Sequence, residues 1–163
     1  MIRGFTLVEL IVVIVIAGIL FSTGFPLVKT FLTDSSLSGT STLLGGHLKN
    51  CRYEALKTNL AHRLVFSNDG LGYATWKRSP SLNVWVKIAD FSFGNGVVLA
   101  TSSLLNNQVV FAPDAAPFED DPSDLPDASF DHPLPIDRTI VLTKDSRSKQ
   151  LSIVPETGYV KFY

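Results

Sequence analysis

The stretch Gly4-Phe5-Thr6-Leu7-Val8-Glu9, continued by mostly apolar residues as far as Val28, decides how the rest of the chain is arranged. Between Phe5 and Val28 the only charged side chain is that of Glu9. A helix rises about 1.5 Å per residue, so this stretch is long enough to cross a hydrocarbon layer about 30 Å thick. Because apolar residues occupy every side, the helix has no polar face and must be surrounded by lipid or by other helices.

Three interpretations compete for this segment. A secretory signal peptide fits Arg3 and the apolar run, but it requires a small-residue cleavage site that the residues after Ala17 do not provide. A plain membrane anchor explains the length but not Glu9, whose unpaired carboxylate costs a few kcal/mol in lipid. The third interpretation rests on a resemblance carried by the residues from Gly4 to Glu9, and it explains both the length of the segment and the presence of Glu9.

The hexapeptide from Gly4 to Glu9 resembles the type IV prepilin signature, in which a leader ending in glycine precedes an aromatic residue and a glutamate. The resemblance implies that a prepilin peptidase cleaves after Gly4 and methylates the new amine of Phe5. It also implies that Glu9 neutralises the N-terminal amine of a neighbouring subunit during assembly, and that Pro26 matches a common helix proline. An amine and a carboxylate attract strongly in a low dielectric, where either alone is penalised.

Length and composition limit what the rest of the chain can form and bind. The 163 residues suffice for one membrane segment and one globular domain, and the formal net charge of −1 gives no general attraction to nucleic acid. Cys51 is the only cysteine, which excludes an intramolecular disulfide and predicts a small core residue.

Beyond Pro26 the helical pattern resumes and becomes amphipathic over residues 29–60. Asp34, Ser35 and Ser36 are predicted to cap this second half, and Asn59 to end it. One stripe is spaced to pack against a sheet: Leu37, Ser41, Leu44, Leu48, Cys51 and Ala55.

After Asn59 the period changes to two, which predicts antiparallel strands. They are expected at His62–Ser67, Gly72–Lys77, Asn83–Phe91, Val97–Thr101, Gln108–Phe111, Thr139–Leu142, Gln150–Val154 and Tyr159–Tyr163, with Glu156-Thr157-Gly158 as the last turn. Between Ala112 and Arg138 the density of proline predicts a long loop without helix or central strand.

This layout carries a second resemblance. The helix end Arg52-Tyr53-Glu54-Ala55-Leu56-Lys57-Thr58-Asn59, the strand end from Val109 to Asp114, and the hairpin from Leu151 to Val160 are similar to motifs of the GspH/FimT pseudopilin family. The resemblance implies an α+β, type IV pilin-like fold, in which a long N-terminal helix packs on an antiparallel β-sheet or β-sandwich domain. The expected parts are a leader (1–4), an apolar helix (5–28), an amphipathic half (29–60) and a β domain (61–163). Within the acidic, proline-rich loop at 112–138, the part from Ala115 to Asp137 is longer and more acidic than the family pattern suggests.

No catalytic constellation is evident in the sequence. His47, His62 and His132 are scattered, and no cysteine accompanies them at metal-ligand spacing. A glycine-rich phosphate loop and a nucleophile elbow are also missing from the sequence. We therefore expect a protein that is not an enzyme.

The acidic loop is the one candidate cation site. Asp120, Asp121, Asp124 and Asp127 could supply oxygen ligands to calcium, although their spacing is not that of an EF-hand. A solvated, self-repelling loop or a partner contact is the alternative. The expectation is that no cofactor is required.

DNA is the other partner to weigh, because some FimT-like minor pilins bind DNA through arginines around the closing hairpin. Here the nearby candidates are Arg138, Arg147 and Lys149, which are dispersed and adjoin the acidic loop. Such a distribution makes a poor phosphate track, so nucleic acid is not the expected partner.

The resemblance therefore implies a minor pilin or pseudopilin subunit that assembles into, or caps, a type II secretion pseudopilus or a type IV pilus. The expected partners are prepilin peptidase, other pilins or pseudopilins, and the inner-membrane assembly platform. The chain would cross the bacterial inner membrane once, with its N-terminus cytoplasmic and its C-terminal domain periplasmic. A DNA-binding minor pilin at a pilus tip is the alternative, and a membrane-anchored domain that never assembles is a third.

Overall fold

The computed structural model describes residues 6–79, 84–113, 117–118, 137–155 and 157–163. The chain divides into two compact units, the first ending at Ser35 and the second beginning at Ser36.

A single helix, α1, extends over Leu7–Thr58, so the unit boundary falls within it. The predicted cap from Asp34 to Ser36 is therefore wrong, because these residues lie inside the helix. An interior proline removes one hydrogen bond and its ring crowds the carbonyl four residues earlier, which weakens a helix locally, but α1 continues past Pro26. The predicted end is confirmed: Asn59 has a φ of 55°, the left-handed conformation that terminates helices.

Nine strands follow α1 in the part of the chain that the structure describes. They are β1 (His62–Phe66), β2 (Gly72–Arg78), β3 (Trp85–Ser92), β4 (Val98–Ser102), β5 (Gln108–Phe111), β6 (Pro117–Phe118), β7 (Arg138–Lys144), β8 (Arg147–Ile153) and β9 (Val160–Phe162). A 3₁₀ turn at Leu105–Asn107 precedes β5. All eight predicted strands are present with ends shifted by a few residues.

The strands form two antiparallel sheets, with the orders β3-β2-β1-β5-β6 and β4-β7-β8-β9. The predicted fold class, a long N-terminal helix followed by antiparallel sheets, is confirmed. The proline-rich segment, predicted to contain neither helix nor central strand, contributes the short edge strand β6, where Pro117 pairs with Phe111. Because β6 is the last strand in its sheet order, proline is tolerated there: only one side of the strand must supply ladder hydrogen bonds.

The core of the second unit joins α1 to both sheets. The predicted helix stripe is confirmed, since none of its six residues is more than 4 % exposed: Leu37, Ser41, Leu44, Leu48, Cys51 and Ala55. One hydrophobic cluster contains most of this stripe together with strand residues of both sheets: Leu64, Phe66, Val109, Phe111, Ile140, Leu142, Leu151 and Ile153. The amphipathic spacing of α1 is therefore satisfied by burial against the sheets.

Two adjacent glycines in α1 differ in their surroundings. A Cβ at Gly45 would collide with the ring of Phe162, whereas a Cβ at Gly46 would meet no atom within 4 Å. Gly46→Ala should raise the free energy of unfolding by up to about 1 kcal/mol, through helix propensity. Gly45→Ala should be about 0.5–1.5 kcal/mol less stable than Gly46→Ala, because the partly exposed Phe162 ring must leave its preferred rotamer. Parallel urea unfolding of the two variants measures the difference, and equal stability would contradict the close packing of β9 on α1.

Candidate functional site

The start of α1 is built around reciprocal contacts between Thr6 and Glu9. The backbone N–H and the hydroxyl of Thr6 both donate to Glu9 Oε2, at 3.0 and 2.9 Å, and the Glu9 N–H donates to Thr6 Oγ1 at 3.3 Å. The Leu10 N–H donates to the Thr6 carbonyl at 3.2 Å. This is a capping box, which supplies partners to N–H groups that a helix start would otherwise leave unpaired.

The role of Thr6 is a feature that the sequence interpretation missed. The pattern Thr6-x-x-Glu9 is the signature of a capping box, so a local signal was present. The box holds the Glu9 carboxylate in the first helical turn, where the helix dipole favours a negative charge. Gly4 and Phe5, the predicted processing residues, lie outside the described residues.

The first unit exposes its apolar side chains. The exposed fractions of the large apolar residues between Leu7 and Val28 range from 49 % at Val12 to 77 % at Phe21. Among the described residues, α1 is the one helix that is long and apolar enough to cross a membrane. The backbone is helical at Pro26, so the predicted weak point does not interrupt the segment. An apolar surface of this length requires lipid or other helices as its surroundings.

Two of the three histidines face a cleft of about 390 Å³ in the second unit, between α1 and the strands β2 and β3. His47 Nδ1 shares a hydrogen bond of 2.8 Å with the Tyr73 hydroxyl, and His62 Nε2 lies 3.3 Å from Thr58 Oγ1. Burial lowers the pKa of His47. Burial also lowers the pKa of His62, with Glu54 acting in the opposite direction. Both imidazoles are therefore neutral at pH 7 and are paired with hydroxyl groups.

Cys51 lies on the same cleft and matches the predicted core residue. Its side chain is buried, and burial raises the pKa of the thiol to about 12, so the reactive thiolate is not populated at neutral pH. Burial likewise raises the pKa of Tyr73 to about 12. His132 lies outside the described residues. The cleft therefore combines two neutral imidazoles and a protonated thiol with the charged side chains of Glu54 and Lys77.

The candidate calcium ligands Asp120, Asp121, Asp124 and Asp127 all lie outside the described residues. Within the described ranges, no group of three His, Cys, Asp or Glu side chains is arranged to hold a metal ion.

The candidate DNA contacts lie on the hairpin formed by β7 and β8. Arg138 begins β7, whereas Arg147 is paired with Lys144 at the other end of that strand. The two ends are about 20 Å apart at roughly 3.3 Å per residue. Lys149 Nζ donates to Ser38 Oγ at 3.4 Å. The structure thus places Arg147 and Lys149 at one end of the hairpin and Arg138 at the other, and it does not bring the three together.

Comparison with known sequences gives a family match at the N-terminal end of the chain. Residues 1–25 match the family model of the prokaryotic N-terminal methylation motif, and the match includes Gly4, Phe5 and Glu9. A search of curated proteins finds no match to the chain.

Comparison with solved structures identifies the fold. The type IV minor pilin FimU of Pseudomonas aeruginosa superposes with a TM-score of 0.58 at 16 % identity, over 82 % of this chain and 92 % of FimU. The minor pseudopilin EpsH from the Type 2 Secretion System of Vibrio cholerae superposes with a TM-score of 0.57 at 9 % identity, over 78 % of this chain and 96 % of EpsH. The chain therefore combines an N-terminal methylation motif with a type IV pilin-like fold, which confirms the resemblance read from its sequence.

Proposed function

We propose that this chain is a minor pilin or pseudopilin subunit that assembles into, or caps, a bacterial type II secretion pseudopilus or a type IV pilus. One observation carries the proposal: a methylation motif, an exposed apolar segment and a core-forming segment follow one another through a single helix, α1. FimU is a type IV minor pilin and EpsH a type II secretion pseudopilin. The shared fold supports the subunit role without choosing between the two machines.

Before assembly, the apolar part of α1 crosses the inner membrane, with the N-terminus in the cytoplasm and the second unit in the periplasm. Prepilin peptidase removes Met1 to Gly4 and methylates Phe5. The inner-membrane assembly platform then draws the subunit from the lipid. Because the apolar side chains of this segment are exposed on all sides, extraction is favourable only where the helices of other pilins replace the lipid.

Glu9 provides the one charged contact when the helices of other pilins replace the lipid around this segment. A carboxylate has about four lone-pair sites, and the contacts from Thr6 use one of the two oxygens. Glu9 can therefore accept the N-terminal amine of a neighbouring subunit without losing its capping contacts. The pairing removes two isolated charges from a low-dielectric environment, where each alone is strongly disfavoured.

Processing gives the direct test of this function. When the chain is produced with a prepilin peptidase, the mature protein should begin at N-methylated Phe5, because the prepilin resemblance implies a leader that ends at Gly4, and the methylation-motif match over residues 1–25 supports it. Intact-mass analysis measures the product, and the same chain from a host without the peptidase serves as the control. A chain that retains Met1, or one that is cut near Ser22, would contradict the proposal.

A further inference from the structure

The β7–β8 hairpin ends in a group of basic residues. Lys144 pairs with Arg147 across the turn at Asp145 and Ser146, and Lys149 follows in β8. Side chains alternate between the two faces of a strand. Arg147 and Lys149 therefore continue the face of β8 that carries the buried Leu151 and Ile153, and Lys144 continues the corresponding face of β7. We call Lys144, Arg147 and Lys149 the basic hairpin end.

Two hydrogen bonds join the basic hairpin end to the part of α1 that belongs to the second unit. Lys144 Nζ donates to Ser36 Oγ at 3.0 Å, and Lys149 Nζ donates to Ser38 Oγ at 3.4 Å. Ser36 is the first residue of the second unit. The basic hairpin end therefore lies where the chain enters this unit from the apolar segment.

The chain length between the apolar segment and Ser36 limits their separation. The apolar run ends at Val28, and α1 is helical from there to Ser36. Even a fully extended chain would span no more than about 29 Å over that interval. The headgroup layer of a bilayer adds about 5–8 Å beyond the hydrocarbon on each side. Ser36, which accepts from Lys144, is thus tethered within that chain length of the apolar run, so the chain allows the basic hairpin end to meet the headgroup layer.

We propose that the basic hairpin end binds the anionic phospholipid headgroups of the membrane that holds the apolar part of α1, an inference that rests on the membrane insertion proposed above. Between Arg138 and Ile153 the only acidic residue is Asp145, so this hairpin is basic although the whole chain has a net charge of −1. Lysine and arginine close to an anionic leaflet are attracted to it.

A lipid surface fits this group better than a nucleic acid does. Binding along a duplex requires a row of cations, and Arg138 lies about 20 Å away at the opposite end of β7. A headgroup layer requires no such row, because phosphate groups are distributed over the whole surface. The contact would retain the second unit beside the bilayer until the subunit is extracted.

The test uses the full chain in vesicles of phosphatidylcholine, with or without phosphatidylglycerol. A fluorophore is attached at Ser146→Cys in the exposed hairpin turn, while Cys51 remains unlabelled because it is buried with a pKa of about 12. Quenching by aqueous acrylamide should fall about twofold or more in the anionic vesicles only, and the protection should disappear in about 1 M salt. A label at Leu56→Cys, about 30 Å further along α1 than Ser36, should show no such difference.

Charge variants identify the residues responsible. Lys144 and Lys149 are half-buried and Arg147 is exposed. Replacing these three residues together by Gln should abolish the protection, whereas a triple Gln variant of exposed lysines elsewhere in the chain should retain it: Lys57, Lys77 and Lys87. Because the triple change also removes two hydrogen bonds, Lys144→Arg with Lys149→Arg provides a second variant, which keeps the charge and should keep the protection.

The outcomes separate this inference from the proposed function. Flotation of the chain with both kinds of vesicle tests membrane insertion, and failure to float would overturn both proposals. Flotation with equal quenching in the two vesicle types would overturn the lipid contact alone. Equal loss of protection in both Gln triples, or protection by duplex DNA but not by anionic vesicles, would also overturn it.

Discussion

Glu9→Leu is expected to abolish incorporation of the chain into filaments while leaving its membrane insertion and its cleavage intact. The change removes the only charge from the apolar run, so insertion should be unimpaired or improved. In the assembled bundle, however, the amine of a neighbouring Phe5 would have no carboxylate. Leaving one partner of a buried ion pair alone costs about 3–5 kcal/mol, so incorporation should fall roughly a hundredfold or more. Filament content relative to membrane abundance of the same variant measures the effect.

Two matched variants separate the charge of Glu9 from its capping contact. Glu9→Gln keeps a side chain that can complete a capping box with Thr6 but removes the charge. Like Glu9→Leu, this variant should fail to incorporate into filaments. Thr6→Ala removes the cap at a cost of about 1 kcal/mol but retains the carboxylate, so it should still incorporate. Incorporation of Glu9→Leu equal to that of the parent chain would end the assembly role assigned to this residue.

Leu48→Ala is expected to lower the free energy of unfolding of the second unit by about 2–5 kcal/mol. Leu48 is 0 % exposed and belongs to the cluster that joins α1 to both sheets, so its truncation removes buried apolar contacts and leaves a cavity. Leu56→Ala, on the same helix, is the control: Leu56 is 52 % exposed, and its loss should change stability by less than about 0.5 kcal/mol. Urea unfolding of the full chain in detergent compares the two variants, and similar losses from both would contradict the assigned core face of α1.

Much of the fold was accessible from the sequence because its signals are local. The spacing of Leu44, Leu48 and Cys51 identifies a helix face within two turns, and alternation identifies a strand within about five residues. Asn59 ends α1 because asparagine tolerates the left-handed conformation. The capping box between Thr6 and Glu9 was equally local, and it was missed although its pattern was present. The predicted cap from Asp34 to Ser36 is wrong because α1 continues through Pro26 and no second helix begins there.

The sequence by itself determined the elements and the N-terminal signature: the apolar run with Glu9, the methylation motif, the buried stripe of α1 and the positions of most strands. The tertiary structure alone decided which distant residues meet. It places the Phe162 ring against Gly45, pairs Pro117 with Phe111, and sets Lys144 beside Ser36 while Arg138 lies at the far end of the same strand. The physical reason is that periodicity and composition report which face of a segment is apolar, whereas contacts between distant segments depend on strand order and register. Strand order and register are fixed only when the two sheets and α1 bury their apolar faces together.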